Sequence, residues 1–165
     1  MIGVDFVRRM ARYNRWQNEN LYGAADGLSD EECHRERGAF FGSIHRTMYH
    51  LLWADQTWMS RFRSTPPPAP FADLVGLHGE WVALKDARRD FDGEIIGWAD
   101  GLASEWLAGT HTHVSPSMGR EVTTPRRLLV SHFFNHQTHH RGQIHCLLTQ
   151  AGRKPADTDL PMMPG

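Results

Sequence analysis

Five histidines crowd one short stretch of this sequence, His132, His136, His139, His140 and His145, out of 11 in its 165 residues. Imidazole is the side chain whose proton moves near neutral pH and the commonest metal ligand, so this stretch is the first place to look for chemistry. Thr124 as N-cap, Pro125 at the first helical position and Gly152 past the end predict one helix reaching Ala151. On a wheel of about 100° per residue with His136 at zero, His140 lies at about +40°, Leu129 and Leu147 at about +20° and Phe133 at about +60°. Both histidines therefore sit inside the apolar stripe. His139 and His132 fall on its edge, and His145 points to the opposite side. Side chains at i and i+4 stand ~5–6 Å apart at Cβ, close enough for two imidazoles to converge on one ion.

A second helix offers a third ligand. Between Ser43 and Arg63, His50 lies on the flank of the face that carries Ile44, Leu51, Trp58 and Phe62, whereas His45 falls away from it. Two readings of the pair at 136 and 140 stay open on spacing alone. One is a pair of core histidines satisfied by neighbours; each unpaired buried ring nitrogen would otherwise cost ~1–3 kcal/mol. The other is a divalent metal, which converts that cost into binding energy. His34, His78, His111 and His113 read as ordinary surface or loop residues.

Alternative metal chemistries fail on residue type. A zincin protease needs His-Glu-x-x-His with the glutamate as base, and the position after His136 is Gln137. A di-iron bundle needs two Glu-x-x-His pairs, and Glu31-Glu32-Cys33-His34 has no second copy. Gln143, one turn beyond His140, is a candidate for holding a metal-bound water or substrate, or for bonding backbone. Gly142 leaves room for a neighbouring helix, and Arg141 is expected in an ion pair. Cys146 lies off the histidine stripe and is neither ligand nor nucleophile.

The elements that must position these residues are mostly helical. A first helix is predicted over Val4–Ala25 with Phe6, Met10, Tyr13, Gln17, Leu21 and Ala24 on one face. Ser29 and Glu32 form a capping box that opens a short helix ending near Gly38. The run from Thr65 to Pro70 stops the second long helix, because proline cannot donate to the helical ladder. A third long helix is expected from Asp73 to Trp98, weakened by Gly76, Gly79, Gly93 and Gly97. Gly109–Thr123 reads as a hairpin of two short strands, and Arg153–Gly165 as an irregular tail, docked loosely or not at all. The fold class is all-α, a four-helix bundle in a single domain spanning residues 1–165. Its connections are longer than tight turns, so some neighbours are parallel through crossovers.

Composition removes several function classes. With 18 Lys+Arg against 19 Asp+Glu, the chain lacks the basic excess of a nucleic-acid or anionic-membrane binder. No apolar run approaches the ~18–20 residues that span a bilayer, and the N-terminus lacks signal-peptide order. Two cysteines, Cys33 and Cys146, give no disulfide framework and fit the cytoplasm. Met48, Leu52 and Met59 lie opposite His50, making the second helix apolar on two sides, which predicts a homodimer.

Three segments together resemble the DinB family of DinB/YfiT-like metalloenzymes. They are Tyr13-Asn14-Arg15-Trp16-Gln17-Asn18 with Leu21, then Ser43 to Asp55 with Trp58 and Arg61, and most specifically Asn135-His136-Gln137-Thr138-His139-His140-Arg141-Gly142-Gln143-Ile144. The similarity spans nearly the whole chain. It implies an up-down-down-up bundle and a divalent metal held by three histidines, matched here by His50, His136 and His140. Relatives in the wider superfamily include thiol-dependent isomerases and S-transferases that use low-molecular-weight thiols. Three neutral imidazoles leave a coordination position open, as in catalytic zinc sites; Zn or Ni leads as the ion, with Fe or Mn as alternatives. The expectation is a metal-dependent thiol S-transferase, isomerase or hydrolase acting on small molecules, with a low-molecular-weight thiol as co-substrate. The alternative is a non-catalytic metal-binding or stress-response scaffold whose three-histidine site is structural.

Overall fold

Residues 2–71, 80–115 and 119–164 are described by a computed structural model. Four long helices, α1 (Val4–Ala25), α3 (Ile44–Arg63), α4 (Trp81–Asp100) and α6 (Arg126–Gln150), pack together. Two one-turn helices, α2 (Asp30–His34) and α5 (Ser104–Ala108), and a hairpin of β1 (Thr110–Ser115) and β2 (Arg120–Pro125) fill the connections.

Side-chain partners fix the helix directions. Along α1 and α4, Arg12 meets Asp100, Asn18 meets Asp92 and Tyr22 stacks on Trp81, so the two run antiparallel. Along α3 and α6, His50 meets His140 and Trp58 meets His132, which is antiparallel again. Phe6 against Phe134 and Asn14 against Arg141 make α1 and α6 parallel. Asp55 with Arg88 and Arg63 with Glu94 do the same for α3 and α4. The order is therefore up-down-down-up, as the long connections require.

Each long helix is apolar at both ends of its buried stripe and polar in the middle. One core cluster holds Val7, Met59, Phe62, Ile95, Val130 and Phe133. The other holds Leu21, Ile44, Met48, Leu52, Leu84 and Ile144. Between them lie Asn14, Asn18, Asp55, Arg88, Asp92, Gln137 and Arg141, all buried. Arg88 donates to Asp55 at 2.8 Å and to Asp92 at 2.6 Å, and Asn14 and Asn18 both donate to Asp92. Removing one partner of such a buried pair strands the other, a loss of about 3–5 kcal/mol.

Several boundaries and faces differ from the sequence reading. The buried side of α1 carries Val7, Ala11, Asn14, Asn18, Tyr22 and Ala25 beside Gln17 and Leu21, while Phe6 is exposed. Buried asparagines facing Asp92 carry no apolar signal, so the predicted stripe is rotated by one residue. The third long helix begins at Trp81 because Glu80 is extended (φ −96°, ψ 136°); the part expected over 73–79, with Gly76 and Gly79, lies outside the described residues. The helix predicted to end near Gly38 stops at His34. Thr124 and Pro125 belong to β2, paired with His111 and Thr110, and Arg126 is the first residue of α6. Strand pairing carries through the proline because its missing N–H is the last on the strand.

The tail docks instead of hanging free. Asn20 presents its amide to Ala156, accepting from the backbone N–H at 2.7 Å and donating to the carbonyl at 3.1 Å. Gln17 donates to the Asp157 carbonyl, Tyr13 to that of Thr158, and Arg153 to that of Ala24. Met48, Leu52 and Met59 are almost fully buried in the chain's own core. That removes the apolar surface on which the homodimer expectation rested. Among the described residues, no helix is long and apolar enough to cross a membrane.

Candidate metal centre

The antiparallel crossing of α3 and α6 brings His50, His136 and His140 together, with one ligand nitrogen from each lying within 4.8 Å of the others. Ring centroids are 4.3 Å apart for the 136–140 pair, 4.7 Å for 50–140 and 5.6 Å for 50–136. Ser43 starts α3 by accepting from the Arg46 N–H, which sets the register that turns His50 toward α6. The i, i+4 spacing puts the Nε2 atoms of His136 and His140 at 3.1 Å.

Hydrogen bonding selects the tautomer of His140. Its Nδ1–H donates to the Gln143 Oε1 at 2.8 Å, so its Nε2 carries the lone pair and faces the cluster. The other end of the Gln143 amide lies 3.2 Å from the Nε2 of His139. Gln143 therefore orients a cluster histidine, and it also lines the cavity beside the cluster. His136 Nδ1 is buried without a partner.

Burial holds all three imidazoles neutral. It pushes the pKa of His50 down to about 4 and that of His136 down to about 3, with neighbouring imidazoles adding to the shift. His140 is lowered chiefly by burial, against the bond from Gln143. Neutral imidazole is the form that binds a metal. Three convergent nitrogens on neutral rings and one tautomer already selected make a set that fits a divalent ion.

An aromatic wall closes one side. Phe41 stacks on His50 with centroids 3.9 Å apart and planes 22° apart, and Phe71 meets the same ring edge-on at 5.6 Å. A cavity of about 370 Å³ opens beside the cluster, lined by Phe40, Phe41, His50, His139, His140 and Gln143. Phe40 is 87% exposed at its rim. Sequence reasoning missed both phenylalanines. The available signal was the pair of them between Gly38 and Gly42, which take positive φ and let the chain turn back on itself at an Ala39–Gly42 bridge.

The remaining histidines sort as follows. His132 and His139 are exposed on the edge of the stripe, and His145 lies on the other side of α6. His45, expected to point away from the core, is buried and stacks on exposed His34 outside the cluster. His111 and His113 stack on each other on β1, and His78 lies outside the described residues. Arg141, expected in an ion pair, is instead buried and donates to Asn14 and Thr138. Cys146 is exposed and away from the site.

Fold and cluster together define a four-helix bundle with a three-histidine group that could hold a metal. The chain belongs to the DinB family, whose model matches residues 4–164. It is 27% identical to Protein DinB of Bacillus subtilis (strain 168) over 162 residues, covering 94% of this chain and 91% of that one. Its fold is similar to the crystal structure of a DinB-like protein from Bacillus cereus ATCC 10987. The TM-score is 0.65 at 20% identity, over 86% of this chain and 90% of the other.

Proposed function

We propose that this protein is a divalent-metal-dependent enzyme of the thiol S-transferase, isomerase or hydrolase type, with His50, His136 and His140 as the ligands. The observation that carries the reading is three neutral, convergent imidazoles, two of which, His50 and His140, line an open cavity. A structural site would be closed by a fourth protein ligand, and among the described residues no further His, Cys, Asp or Glu joins the group. A divalent ion, Zn or Ni first and Fe or Mn next, would supply Lewis acidity and hold a low-molecular-weight thiol as its thiolate.

The chain's own residues prepare that chemistry. Gln143 keeps the His140 lone pair inward. Phe41 and Phe71 fix the plane of His50 and exclude water from one side. Exposed Phe40 at the rim gives a small organic substrate an apolar surface to rest on. The test is a Co²⁺-substituted sample titrated with a simple thiol such as 2-mercaptoethanol, followed by conjugation assays across a panel of electrophiles. New thiolate-to-metal absorption and metal-dependent conjugation are expected. A Co²⁺ spectrum unmoved by thiol would favour the structural scaffold.

A further inference from the structure

The other side of α6 holds a second cavity, of about 270 Å³, facing α1 and roofed by the C-terminal tail. Tyr13 and Leu21 of α1, Thr138, Arg141 and Gly142 of α6 and Thr158 of the tail line it. Its volume lies just below the usual range for small-molecule sites, about 300–1,000 Å³, so an occupant would be small. Arg141 is only 5% exposed. Its guanidinium lies 5.4 Å from the Tyr13 ring centre and 3.3 Å from the Thr138 hydroxyl, two lining residues, which places the charge at the cavity wall.

That charge is served, among the described residues, by neutral groups, the Asn14 amide oxygen, the Thr138 hydroxyl and the Tyr13 ring. Among the described residues, no carboxylate pairs with it. The two buried carboxylates of the polar layer, Asp55 and Asp92, are both bound by Arg88. A buried guanidinium without an anion is costly, and its planar fork matches a carboxylate in bidentate geometry. Burial lowers its pKa to about 10 against the pull of Tyr13, Asp55 and Asp92, so it remains cationic at neutral pH. Leu21 and the Tyr13 ring supply the apolar walls. The tail brings backbone to this side, with the Asp157 and Thr158 carbonyls held by Gln17 and Tyr13.

We propose that this cavity is a binding site for a small monocarboxylate with an apolar body, its carboxylate paired with Arg141 and its body between Tyr13 and Leu21. The site is separate from the histidine cluster, which lies on the opposite face of α6, and it does not depend on a metal.

Benzoate is the probe and benzamide, its uncharged isostere, the control, measured by calorimetry and thermal shift on the full chain. Saturable benzoate binding with no comparable benzamide binding is expected. Arg141→Met should weaken it about tenfold or more, the loss of a charge-assisted bidentate pair. Because Arg141→Met also removes bonds to Asn14 and Thr138, Gly142→Leu is the second variant. A Cβ at Gly142 meets nothing within 4 Å, so the added side chain has space to fill the cavity while leaving Arg141 in place. It too should weaken benzoate at least tenfold. A His136→Ala, His140→Ala double variant should bind benzoate as the wild type does. Equal binding of benzamide, no saturable binding, full binding by Gly142→Leu, or loss of binding in the double-histidine variant would each overturn the proposal.

Discussion

Gln143 offers the most direct handle on how the cluster is prepared. Its Oε1 accepts the Nδ1 proton of His140 at 2.8 Å, and His140 is only 7% exposed. Gln143→Leu keeps the approximate volume and removes the acceptor. The buried N–H then loses its partner, worth about 1–3 kcal/mol, or roughly five- to 150-fold in an equilibrium constant. The ring is also free to carry its proton on Nε2, the atom that faces the cluster, and loss of such an orienting partner typically lowers metal affinity by about 10–100-fold. The expectation is therefore a weakening of metal binding by roughly tenfold or more, read by competition against a chromophoric chelator. Gln143→Glu retains an acceptor and should bind metal at least as well as wild type. Nitrogen-15 shifts of the metal-free protein provide a second reading, with His140 protonated on Nδ1 in wild type and mixed in Gln143→Leu. Wild-type affinity and an unchanged tautomer in Gln143→Leu would refute the reasoning.

The polar layer and the imidazoles make further predictions. Arg88→Met strands Asp55 and Asp92 in the core and should destabilise the fold by about 3–5 kcal/mol in urea denaturation; a loss under about 1 kcal/mol would mean that water reaches the layer. His50 and His136 have folded-state pKa values of about 4 and about 3, below the ordinary 6.5, so the unfolded chain binds more protons between those limits. Their contribution is therefore fully present above pH 6.5 and is lost as pH falls toward 4 and 3. The metal-free protein's melting temperature should drop over that range, and a His50→Ala, His136→Ala variant should show a shallower drop.

Much of this was legible from spacing. The i, i+4 pair on the α6 stripe and the lone flank histidine of α3 are a periodic signal, and rigid helices turn it directly into convergence. Ser29 acts as the cap read from the sequence because a hydroxyl before an exposed N–H end is a local feature. What escaped depends on partners distant in sequence. Asn14 and Asn18 carry no apolar signal, and the expected ion pair of Arg141 gives way to an amide, because Asp92 and Asn14 face them from across the bundle. The same holds for the tail, anchored by Asn20 acting as a peptide mimic. It holds for Met48, Leu52 and Met59, whose second apolar face is covered by this chain's own core. Phe40 and Phe41 were hidden because an irregular turn has no period.

The central claim is that His50, His136 and His140 jointly hold one divalent ion. Elemental analysis of purified wild type beside His50→Ala, His136→Ala and His140→Ala, with folding verified by circular dichroism, tests it most directly. The account predicts close to one equivalent of metal in wild type and strong loss in each of the three folded variants. Metal content unchanged in any folded variant, or absent from wild type after loading with Zn²⁺ and Ni²⁺, would contradict it.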